Sequence, residues 1–532
     1  MIIHKSFLKD KGFIDLDFYF AESISENENE ILFLAFVFFF SRQGHICCHF
    51  SEEMDKPSIE FLDCQMQNIK KLILEGLRSF IERPIEKQYP ITIHKDFIYL
   101  EKNFFYETNL LVHFKRLINQ HPCLWTPAES PNHLSKEQKE AIDKVCRHQV
   151  TMISGGPGTG KTFTASQIIK SFIHSFDKPL ELVLAAPTGK AVSRLEESIR
   201  KEIDISYPLR VGTVHSILKL SSYQQSFTDT FALVADLIII DECSMLDAEL
   251  FAYLLNCIRG QTRLILMGDP CQLGAVENGS FFYDLINIFP QYTITLNKNF
   301  RSEQHLTHLI KSILEGQLEP HLSDFFLKKL CLDSLMKEIL ELLPKKEKVS
   351  PNIKQNLDFF ENFKILSCVR KGIFGSDQLN QKIVDLLISQ AEPEEWLSIP
   401  IIIKKNDYSR NLYNGQTGIW VTKKKNGLLK GEENKQEDII YLSDHRQLSL
   451  KDIPYFDYAY CLSVHKSQGS EYKKVMLLIP DEAEVFGKEI IYTGVTRAKK
   501  EVTIFGNIDT IREMLKRNSI RVSNLKQRFL EE

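Results

Sequence analysis

The segment Gly155–Thr162 has the residue types and spacing of a phosphate-binding loop. Its letters, GGPGTGKT, fit the pattern GxxxxGK[ST] and stand between an apolar run and a stretch with helical apolar spacing. Glycines let the backbone curl until its N–H groups converge on phosphate oxygens at the start of a helix. Lys161 can reach the β- and γ-phosphates, and the Thr162 hydroxyl can ligate Mg²⁺. The residues predicted to contact the nucleotide are Gly155, Gly156, Pro157, Gly158, Thr159, Gly160, Lys161 and Thr162.

Two carboxylates supply the other groups that such a loop requires. Asp241 and Glu242 stand directly after the apolar run Leu237–Ile240. We expect Asp241 to hold Mg²⁺ together with Thr162, and Glu242 to take a proton from the attacking water. An Asp–Glu pair at the end of a strand can instead open a helix, but the phosphate loop favours the chemical role. Together the two motifs predict an enzyme that hydrolyses ATP with Mg²⁺.

Short apolar runs that alternate with helical stretches predict the sheets that position these groups. Such runs are typical of strands buried in a mostly parallel sheet. They lie at Val150–Ile153, Leu182–Ala186, Leu237–Ile240, Arg263–Met267, Tyr292–Leu296, Phe363–Cys368, Pro400–Ile403, Val475–Ile479 and Glu501–Phe505. Because the pattern returns later in the chain, we predict two α/β domains in tandem. Thr417–Lys425 and Ile439–Leu442 predict a small antiparallel insert in the second domain.

Composition limits the class of protein. The chain has 532 residues, of which 43% are hydrophobic and 26% charged, values that exclude a mostly disordered chain. A net charge of −4 excludes a strongly basic coat for nucleic acid, although a local basic groove stays possible. The longest apolar run, Ile31–Phe40, is about half the length of a membrane span, so we predict a buried helix and no membrane contact. The N-terminus has no secretion-signal pattern, which favours the cytoplasm.

Further motifs follow the phosphate loop in an order that resembles superfamily 1 DNA helicases. They are AAPTGKAVSRL (185–195), TVHSI (213–217), DECSM (241–245), GDPCQLGAVENG (268–279), LNKNFRS (296–302), SVHKSQGSEY (463–472) and YTGVTRAK (492–499). Within that superfamily the chain is most similar to the RecD family, the alpha subunit of exodeoxyribonuclease V. The stretches that extend the likeness are NDYSRNLYNGQTG (406–418), SRQGHICC (41–48) and FIYLEKNFFYETNL (97–110).

The resemblance implies an α/β fold with two tandem RecA-like P-loop domains. We expect the first at 133–290 and the second at 291–532, with a small SH3-like β insert near 419–455. A mainly helical N-terminal domain is expected at 1–120, and a linker with three prolines at 121–132.

The resemblance also assigns contacts outside the phosphate loop. The residues implied to act on ATP are Gln138 for adenine, Asp269 and Gln272 for sensing the γ-phosphate, Arg301 and Arg497 for its charge, and Glu471 for the ribose. Guanidinium suits this task because it spreads charge over the phosphoryl oxygens and keeps its proton. Without that context, Gln138 would be interpreted as an exposed helix residue.

The same motifs imply contacts with a single DNA strand. The residues concerned are Pro187, Thr188, Thr213, His215, Ser463 and His465. Small hydroxyls and imidazoles suit phosphate contacts that carry no sequence information. Each histidine could equally be a structural imidazole that contacts no DNA.

The function implied is an ATP-dependent 5′–3′ DNA helicase motor of a RecBCD-type exodeoxyribonuclease V, acting in double-strand break repair and recombination. Its expected partners are single-stranded and duplex-end DNA and RecB-like and RecC-like subunits, with the nuclease centre in a partner subunit. A stand-alone helicase of the same subgroup is the first alternative, although such helicases usually have a longer N-terminal region. A scaffold with a degenerate ATPase is the second, and the intact site residues argue against it.

Residues 1–120 are expected to dock the motor to its partner subunits. Residues 1–130 carry a net charge of about −5, which makes a poor DNA-binding surface. The region also concentrates phenylalanines beyond what we expect one short helix to bury; these are Phe33, Phe36, Phe38, Phe39 and Phe40. The alternative is that these phenylalanines fill the core of the N-terminal domain itself.

Overall fold

The structure is a computed structural model in which most of the chain is described. The described ranges are 6–9, 12–49, 67–84, 88–122, 124–127, 134–203, 207–220, 231–275, 278–279, 281–300, 304–318, 326–344, 351–393, 395–405, 407–423, 438–453, 455–517 and 521–531. Across these ranges the strands form four sheets, two of them parallel and two antiparallel. The predicted arrangement of α/β domains in tandem after a mainly helical N-terminal region is confirmed.

In its described residues the N-terminal region contains helices packed with a three-stranded antiparallel sheet of order β1-β3-β2. Its helices are α1 (Asp15–Ile24), α2 (Glu28–Arg42), α3 (Gln67–Ile81) and α4 (Glu101–Ile118). Its strands are β1 (Cys47–His49), β2 (Ile91–His94) and β3 (Phe97–Leu100). The helix predicted at 31–40 lies within α2, so the longest apolar run is a buried helix of the N-terminal domain.

Helix α2 is the hydrophobic centre of this region. Asn27 caps its start, accepting the N–H groups of Asn29 and Glu30. Its phenylalanines pack inward, as in the stack of Phe39 on Phe13 with ring centroids 4.1 Å apart. Four of the five phenylalanines expected to face a partner are buried, and the fifth is partly buried: Phe33, Phe36, Phe39 and Phe40, and Phe38. The expectation that they form the docking surface is wrong, because α1, α3 and the small sheet enclose α2 on several sides.

The first parallel sheet carries the phosphate loop and has the strand order β6-β5-β7-β8-β4-β9. Its strands are β4 (Val150–Gly155), β5 (Leu182–Ala186), β6 (Leu209–Thr213), β7 (Leu237–Ile240), β8 (Arg263–Gly268) and β9 (Thr293–Leu296). The helices of this domain are α5 (Lys136–Arg147), α6 (Lys161–His174), α7 (Gly189–Arg200), α8 (Val214–Ile217), α9 (Ala248–Cys257) and α10 (Phe281–Ile288). Strand β9 pairs with β4, so the first domain extends past the boundary expected at 290.

The second parallel sheet has the order β10-β19-β18-β11-β17. Its strands are β10 (Leu327–Lys328), β11 (Phe363–Ser367), β17 (Cys461–Ser463), β18 (Tyr472–Ile479) and β19 (Ala498–Gly506). The helices of this domain are α11 (Gln304–Leu314), α12 (Leu332–Leu342), α13 (Ile353–Asn362), α14 (Ser376–Gln390), α15 (Lys488–Val495) and α16 (Ile508–Lys516). Its two large hydrophobic clusters lie on either side of β11 and β18.

The insert is a five-stranded antiparallel sheet of order β15-β14-β13-β12-β16. Its strands are β12 (Trp396–Ile403), β13 (Thr417–Lys423), β14 (Ile439–Leu442), β15 (Gln447–Ser449) and β16 (Phe456–Tyr458). The insert therefore begins and ends outside the expected range of 419–455. The run at Pro400–Ile403, predicted to join the parallel sheet, belongs here instead. All four of its residues are buried, and full burial on both faces produces the same apolar run in either kind of sheet.

The C-terminal helix α17 (Leu525–Glu531) packs on the first domain and the N-terminal region. Its Arg528 pairs with the buried Glu107 of α4, with 3.1 Å between nitrogen and oxygen. Ile46 donates its N–H to the carbonyl of Val522 just before this helix. The second domain therefore does not extend to residue 532 as expected, because the chain crosses back to the first domain after α16.

Two further features bear on the sequence predictions. Inside the expected linker, Trp125 is buried against Phe172 of α6, with ring centroids 5.3 Å apart. Across the described ranges, no helix is long and apolar enough to cross a membrane.

Candidate functional site

The phosphate loop joins the end of β4 to the start of α6. Gly158 and Gly160 have φ angles of +76° and +85°. Residues with a Cβ atom adopt this left-handed conformation only with strain, whereas glycine adopts it readily. The Lys161 ammonium donates to the carbonyls of Gly155 and Gly156, at 2.6 and 3.2 Å. The loop thus holds its lysine over the curled backbone, beside the groups that would bind phosphate.

A Cβ atom at Gly155 would lie 2.6 Å from the hydroxyl of Thr159 and 3.0 Å from the carbonyl of Leu296. That hydroxyl donates to the Gly156 carbonyl at 2.8 Å. The tight loop therefore depends on glycine for close packing as well as for conformation. Pro157 is half-buried in the loop, and Thr162 is half-buried in the first turn of α6.

The two acidic residues stand at the end of β7. The Asp241 carboxylate accepts the N–H of Glu242 at 2.8 Å. Burial and the neighbouring Glu242 raise the pKa of Asp241 to about 6, and the Lys161 ammonium opposes that shift. Asp241 therefore lies within electrostatic reach of Lys161, as a shared metal and phosphate site requires. Glu242 has a φ of +53°, a strained conformation of the kind that clusters at functional sites.

Gln138 lies beside the phosphate loop at the start of α5. It is 3% exposed, so the interpretation as an exposed helix residue is wrong. Its carbonyl oxygen accepts the N–H of Ser135 at 2.9 Å in a capping box. Its amide nitrogen lies 3.1 Å from the position of a Cβ on Gly160. The donor end of the amide is therefore presented to the loop.

Phe300 also contacts the phosphate loop, and the sequence analysis did not single it out. Its N–H donates to the Gly158 carbonyl at 2.9 Å, and its ring is 54% exposed. The Lys298 ammonium lies 5.0 Å from the ring centroid. Its position directly before Arg301 in the motif LNKNFRS is the sequence feature that could have identified it. Arg301 itself lies outside the described residues.

The loop after β8 in the first domain forms hydrogen bonds with the second domain. Asp269 is 1% exposed, and its Oδ2 accepts hydrogen bonds from the Gln272 amide and the Tyr492 hydroxyl, both at 2.9 Å. Its Oδ1 accepts the N–H of Cys271 at 3.0 Å. The structure therefore brings Asp269 and Gln272 together. Tyr492 of α15 also contacts Asp269. It lies in the motif YTGVTRAK, but the sequence analysis assigned it no role.

Arg497 is buried within the second domain, with 3% of its surface exposed. Its guanidinium donates to the carbonyls of Thr493 and Ser470, at 3.1 and 3.3 Å. These bonds tie the end of α15 to the segment before β18. The described contacts of Arg497 thus lie inside its own domain.

Glu471 is held in an ion pair that crosses between the domains. Its Oε2 accepts from Arg194 of α7 at 2.7 Å, and the Lys499 ammonium lies 3.3 Å away. A second nitrogen of Arg194 donates to the Gly469 carbonyl at 2.9 Å. The resemblance implies a ribose contact for Glu471, whereas the structure shows an interdomain contact for its carboxylate.

The residues predicted to contact DNA lie where parallel strands end. Thr188 and Thr213 accept the N–H groups of Ala191 and Ser216, which caps α7 and α8. The hydroxyl of Ser463 accepts the N–H of Lys466 at 3.4 Å. These three hydroxyls therefore have structural roles in addition to any DNA contact.

The remaining three predicted DNA residues differ in exposure. Pro187 is half-buried after β5, and His215 is exposed on α8. His465 is half-buried, and burial together with Arg521 lowers its pKa. The hydroxyl of Thr188 lies 3.4 Å from the position of a Cβ on Gly469, so motifs predicted to contact DNA in the two domains lie next to each other. Among the residues the structure describes, no cluster of three or more His, Cys, Asp or Glu side chains could hold a metal ion.

Two family models match the chain at the parts that form this site. An AAA domain matches residues 138–278, and a UvrD-like helicase C-terminal domain matches residues 458–505. The RecBCD enzyme subunit RecD of Buchnera aphidicola subsp. Acyrthosiphon pisum is 28% identical over 602 residues, covering 95% of this chain and 97% of that protein. The same subunit of Haemophilus influenzae is 27% identical, covering 84% of this chain and 82% of that protein. These similarities support a RecD-like helicase of superfamily 1.

Two other comparisons are more distant from this RecD-like chain. The ATP-dependent RecD2 DNA helicase of Deinococcus radiodurans is 26% identical over 70% of this chain, but over only 49% of its own length. Among solved structures, a Bacteroides Pif1 helicase in complex with ADP-AlF3 and ssDNA is 16% identical, covering 75% of this chain and 97% of that one, with a TM-score of 0.42.

In this RecD-like chain the residues predicted to act on ATP are divided between two domains. The phosphate loop, the acidic pair and Asp269 follow β4, β7 and β8 of the first sheet, and Tyr492 approaches them from the second domain. Carboxyl ends of parallel strands share one edge, which is where open α/β sheets bind ligands. The candidate site therefore lies where the first domain meets the second.

Proposed function

We propose that this chain is the motor subunit of a RecBCD-type exodeoxyribonuclease and translocates 5′–3′ along single-stranded DNA as it hydrolyses ATP. The observation that carries the proposal is the contact of Tyr492 with Asp269, which joins the second domain to the γ-phosphate motif beside the phosphate loop. The direction of travel rests on the resemblance of the motifs to the 5′–3′ subgroup.

The residues around the loop suit ATP with Mg²⁺. The loop is packed too closely to accept a Cβ atom at Gly155. The Lys161 ammonium lies against the loop carbonyls. Thr162 and Asp241 are the oxygen donors for Mg²⁺, a cation that prefers one or two such groups with water and phosphate. When bound, the ion would neutralise charge on the β- and γ-phosphates.

Each of the other residues has a distinct task. Lys161 binds the phosphates, Glu242 takes the proton of the attacking water, and Gln272 orients groups at the γ-phosphate. Gln138 and Glu471 hold the adenine and ribose. Arg301 and Arg497 stabilise the charge of the transferring phosphoryl group from the second domain, for which a guanidinium is suited.

Motion between the domains couples hydrolysis to movement along DNA. Polar contacts between the domains can form and break without unfolding either sheet. Examples are Tyr492 to Asp269, Arg194 to Glu471, and Gln468 to the Leu273 carbonyl. DNA lies across the residues after β5, β6 and β17, which approach each other as the cleft closes. Cycles of closure and reopening then step the strand through the protein.

Membership of a complex rests on the similarity to RecD subunits, of which the chain covers 97% in Buchnera aphidicola and 82% in Haemophilus influenzae. The proposed partners are therefore RecB-like and RecC-like subunits, together with single-stranded and duplex-end DNA. Docking is assigned to residues 1–120, where α1 exposes Leu16, Tyr19 and Phe20. A helix that leaves large apolar side chains in water is a candidate contact surface.

The test uses the purified full chain and two DNA substrates. ATP hydrolysis is measured with and without single-stranded DNA, and unwinding is measured on duplexes with either a 5′ or a 3′ single-stranded tail. We expect DNA to stimulate hydrolysis and only the 5′-tailed duplex to be opened. Hydrolysis at the same rate with and without DNA would refute the motor assignment. Opening of the 3′-tailed duplex would refute 5′–3′ translocation.

A further inference from the structure

Three side chains of the second domain hold one loop of the first domain. The Tyr492 hydroxyl donates to Asp269 at 2.9 Å. The Thr493 hydroxyl accepts the N–H of Leu273 at 2.9 Å, and the Gln468 amide donates to the Leu273 carbonyl at 2.8 Å. The loop is therefore bound at both ends by the domain that must move during a cycle of closure.

One oxygen of Asp269 is shared between the two domains. Its Oδ2 accepts from Gln272, which lies in the same loop, and from Tyr492, which lies in α15. Asp269 is 1% exposed, so a lost donor is not readily replaced by water. The orientation of the Gln272 amide therefore depends on an oxygen that is also fixed from the other domain.

The Tyr492 hydroxyl also lies against the phosphate loop. It is 3.1 Å from the position that a Cβ on Gly156 would occupy. Burial and the Asp269 carboxylate raise the pKa of Tyr492, so the hydroxyl keeps its proton and acts as a donor. Both the loop that binds phosphate and the loop that senses it are thus in contact with one second-domain hydroxyl.

We propose that Tyr492 is a positioning residue for ATP hydrolysis, which holds the Gln272 amide in its active orientation by way of Asp269. The hydrogen bond exists only while the domains are together, so hydrolysis is restricted to the closed state. When the second domain withdraws, Asp269 loses this donor and Gln272 is no longer held. The inference rests on the proposed ATPase function and assigns this residue a specific part in it.

The test is the variant Tyr492→Phe in the full chain, which removes one oxygen and keeps the ring. We expect the DNA-stimulated kcat to fall about tenfold, as one lost hydrogen bond to a charged group predicts, while the KM for ATP stays nearly constant. The matched control is Tyr460→Phe, because Tyr460 is also buried in the second domain and donates to the Ser398 carbonyl at 3.3 Å. It should leave kcat unchanged.

A second comparison separates positioning from stability. If Tyr492 acts through Asp269, then Tyr492→Phe added to Asp269→Asn should lower kcat little further. A variant Tyr492→Phe that unfolds at lower temperature but hydrolyses ATP at the normal rate would overturn the inference. Absence of DNA-stimulated hydrolysis in the unmodified chain would count against the proposed function instead, so the two failures are distinguishable.

Discussion

Arg194 and Glu471 form an ion pair between the two domains, with 2.7 Å between nitrogen and oxygen. The carboxylate is mostly buried, with 13% of the side chain exposed, and Arg194 is 36% exposed. Because the same arginine donates to the Gly469 carbonyl, it holds the segment that precedes β18 at two points. This contact connects α7, which begins within the PTGKA motif, with the SQGSEY motif.

Arg194→Gln should weaken nucleotide binding by about two- to fivefold, since a partly exposed pair contributes at most about 1 kcal/mol. The reason is that closure around the nucleotide loses one interdomain contact. Titration of the full chain with an ATP analogue measures the effect. Arg200→Gln is the matched control, because Arg200 lies on the same helix at the same 2.7 Å from Glu196 but pairs within that helix. Equal losses in both variants would contradict the interdomain role.

Lys161→Ala should abolish ATP hydrolysis and leave the fold intact. The lysine donates only to loop carbonyls among its described hydrogen bonds, so no core packing depends on it. Phosphate release assays and thermal unfolding measure the two properties. Lys170→Ala, an exposed position on the same helix, serves as the control and should leave both unchanged. Near-normal DNA-stimulated hydrolysis in Lys161→Ala would show that the loop is not the site.

Arg497→Ala should bind nucleotide almost normally but hydrolyse it slower by a factor on the order of a thousand, as loss of an arginine finger does. Because its guanidinium also bonds the carbonyls of Thr493 and Ser470, some loss of stability is expected as well. Arg497→Lys retains the charge and should recover the stability more than the rate. If nucleotide affinity collapsed while turnover was preserved, the assignment would be wrong.

Asp284 on α10 should make the protein less stable as pH rises. Burial raises its pKa to about 7 from 3.8, partly offset by the Ser523 hydroxyl that donates to it at 2.7 Å. Between these values the folded chain holds a proton that the unfolded chain releases, so the free energy of unfolding falls as pH rises. Asp284→Asn removes this penalty. Its unfolding temperature should exceed that of the unmodified chain by more at pH 8 than at pH 5, and a constant difference would contradict the shift.

The exposed residues of α1 should be needed for assembly but not for hydrolysis. We expect the double variant Leu16→Ser, Tyr19→Ser to lose co-purification with RecB-like and RecC-like subunits while it keeps its ATPase rate. Ile373→Ser is the control, an equally exposed apolar residue of the second domain. Deletion of residues 1–120 is a poorer test, because Leu110 and Phe114 of α4 belong to the core of the first domain. Unchanged co-purification would place the docking surface elsewhere.

Several features could be predicted from the residues alone because they depend on neighbours in the chain. The phosphate loop is one, since its glycines, Lys161 and Thr162 are contiguous and the strand and helix around them have clear periods. The alternation of strands and helices predicted the parallel sheets for the same reason. Asp241, at the end of its strand, was placed by the same local pattern.

Other features were decided only by contacts between distant parts of the chain. The apolar run at Pro400–Ile403 does not indicate whether the neighbouring strands run parallel or antiparallel to it. The phenylalanines of α2 are buried because α1 and α3 pack against that helix. The return of α17 to Glu107 has no local signal. The partner of Tyr492 lies 223 residues away, at Asp269. Sequence alone determined which groups can do the chemistry, whereas tertiary packing decided which of them touch, because a side chain's partner is set by the meeting of whole elements rather than by adjacent residues.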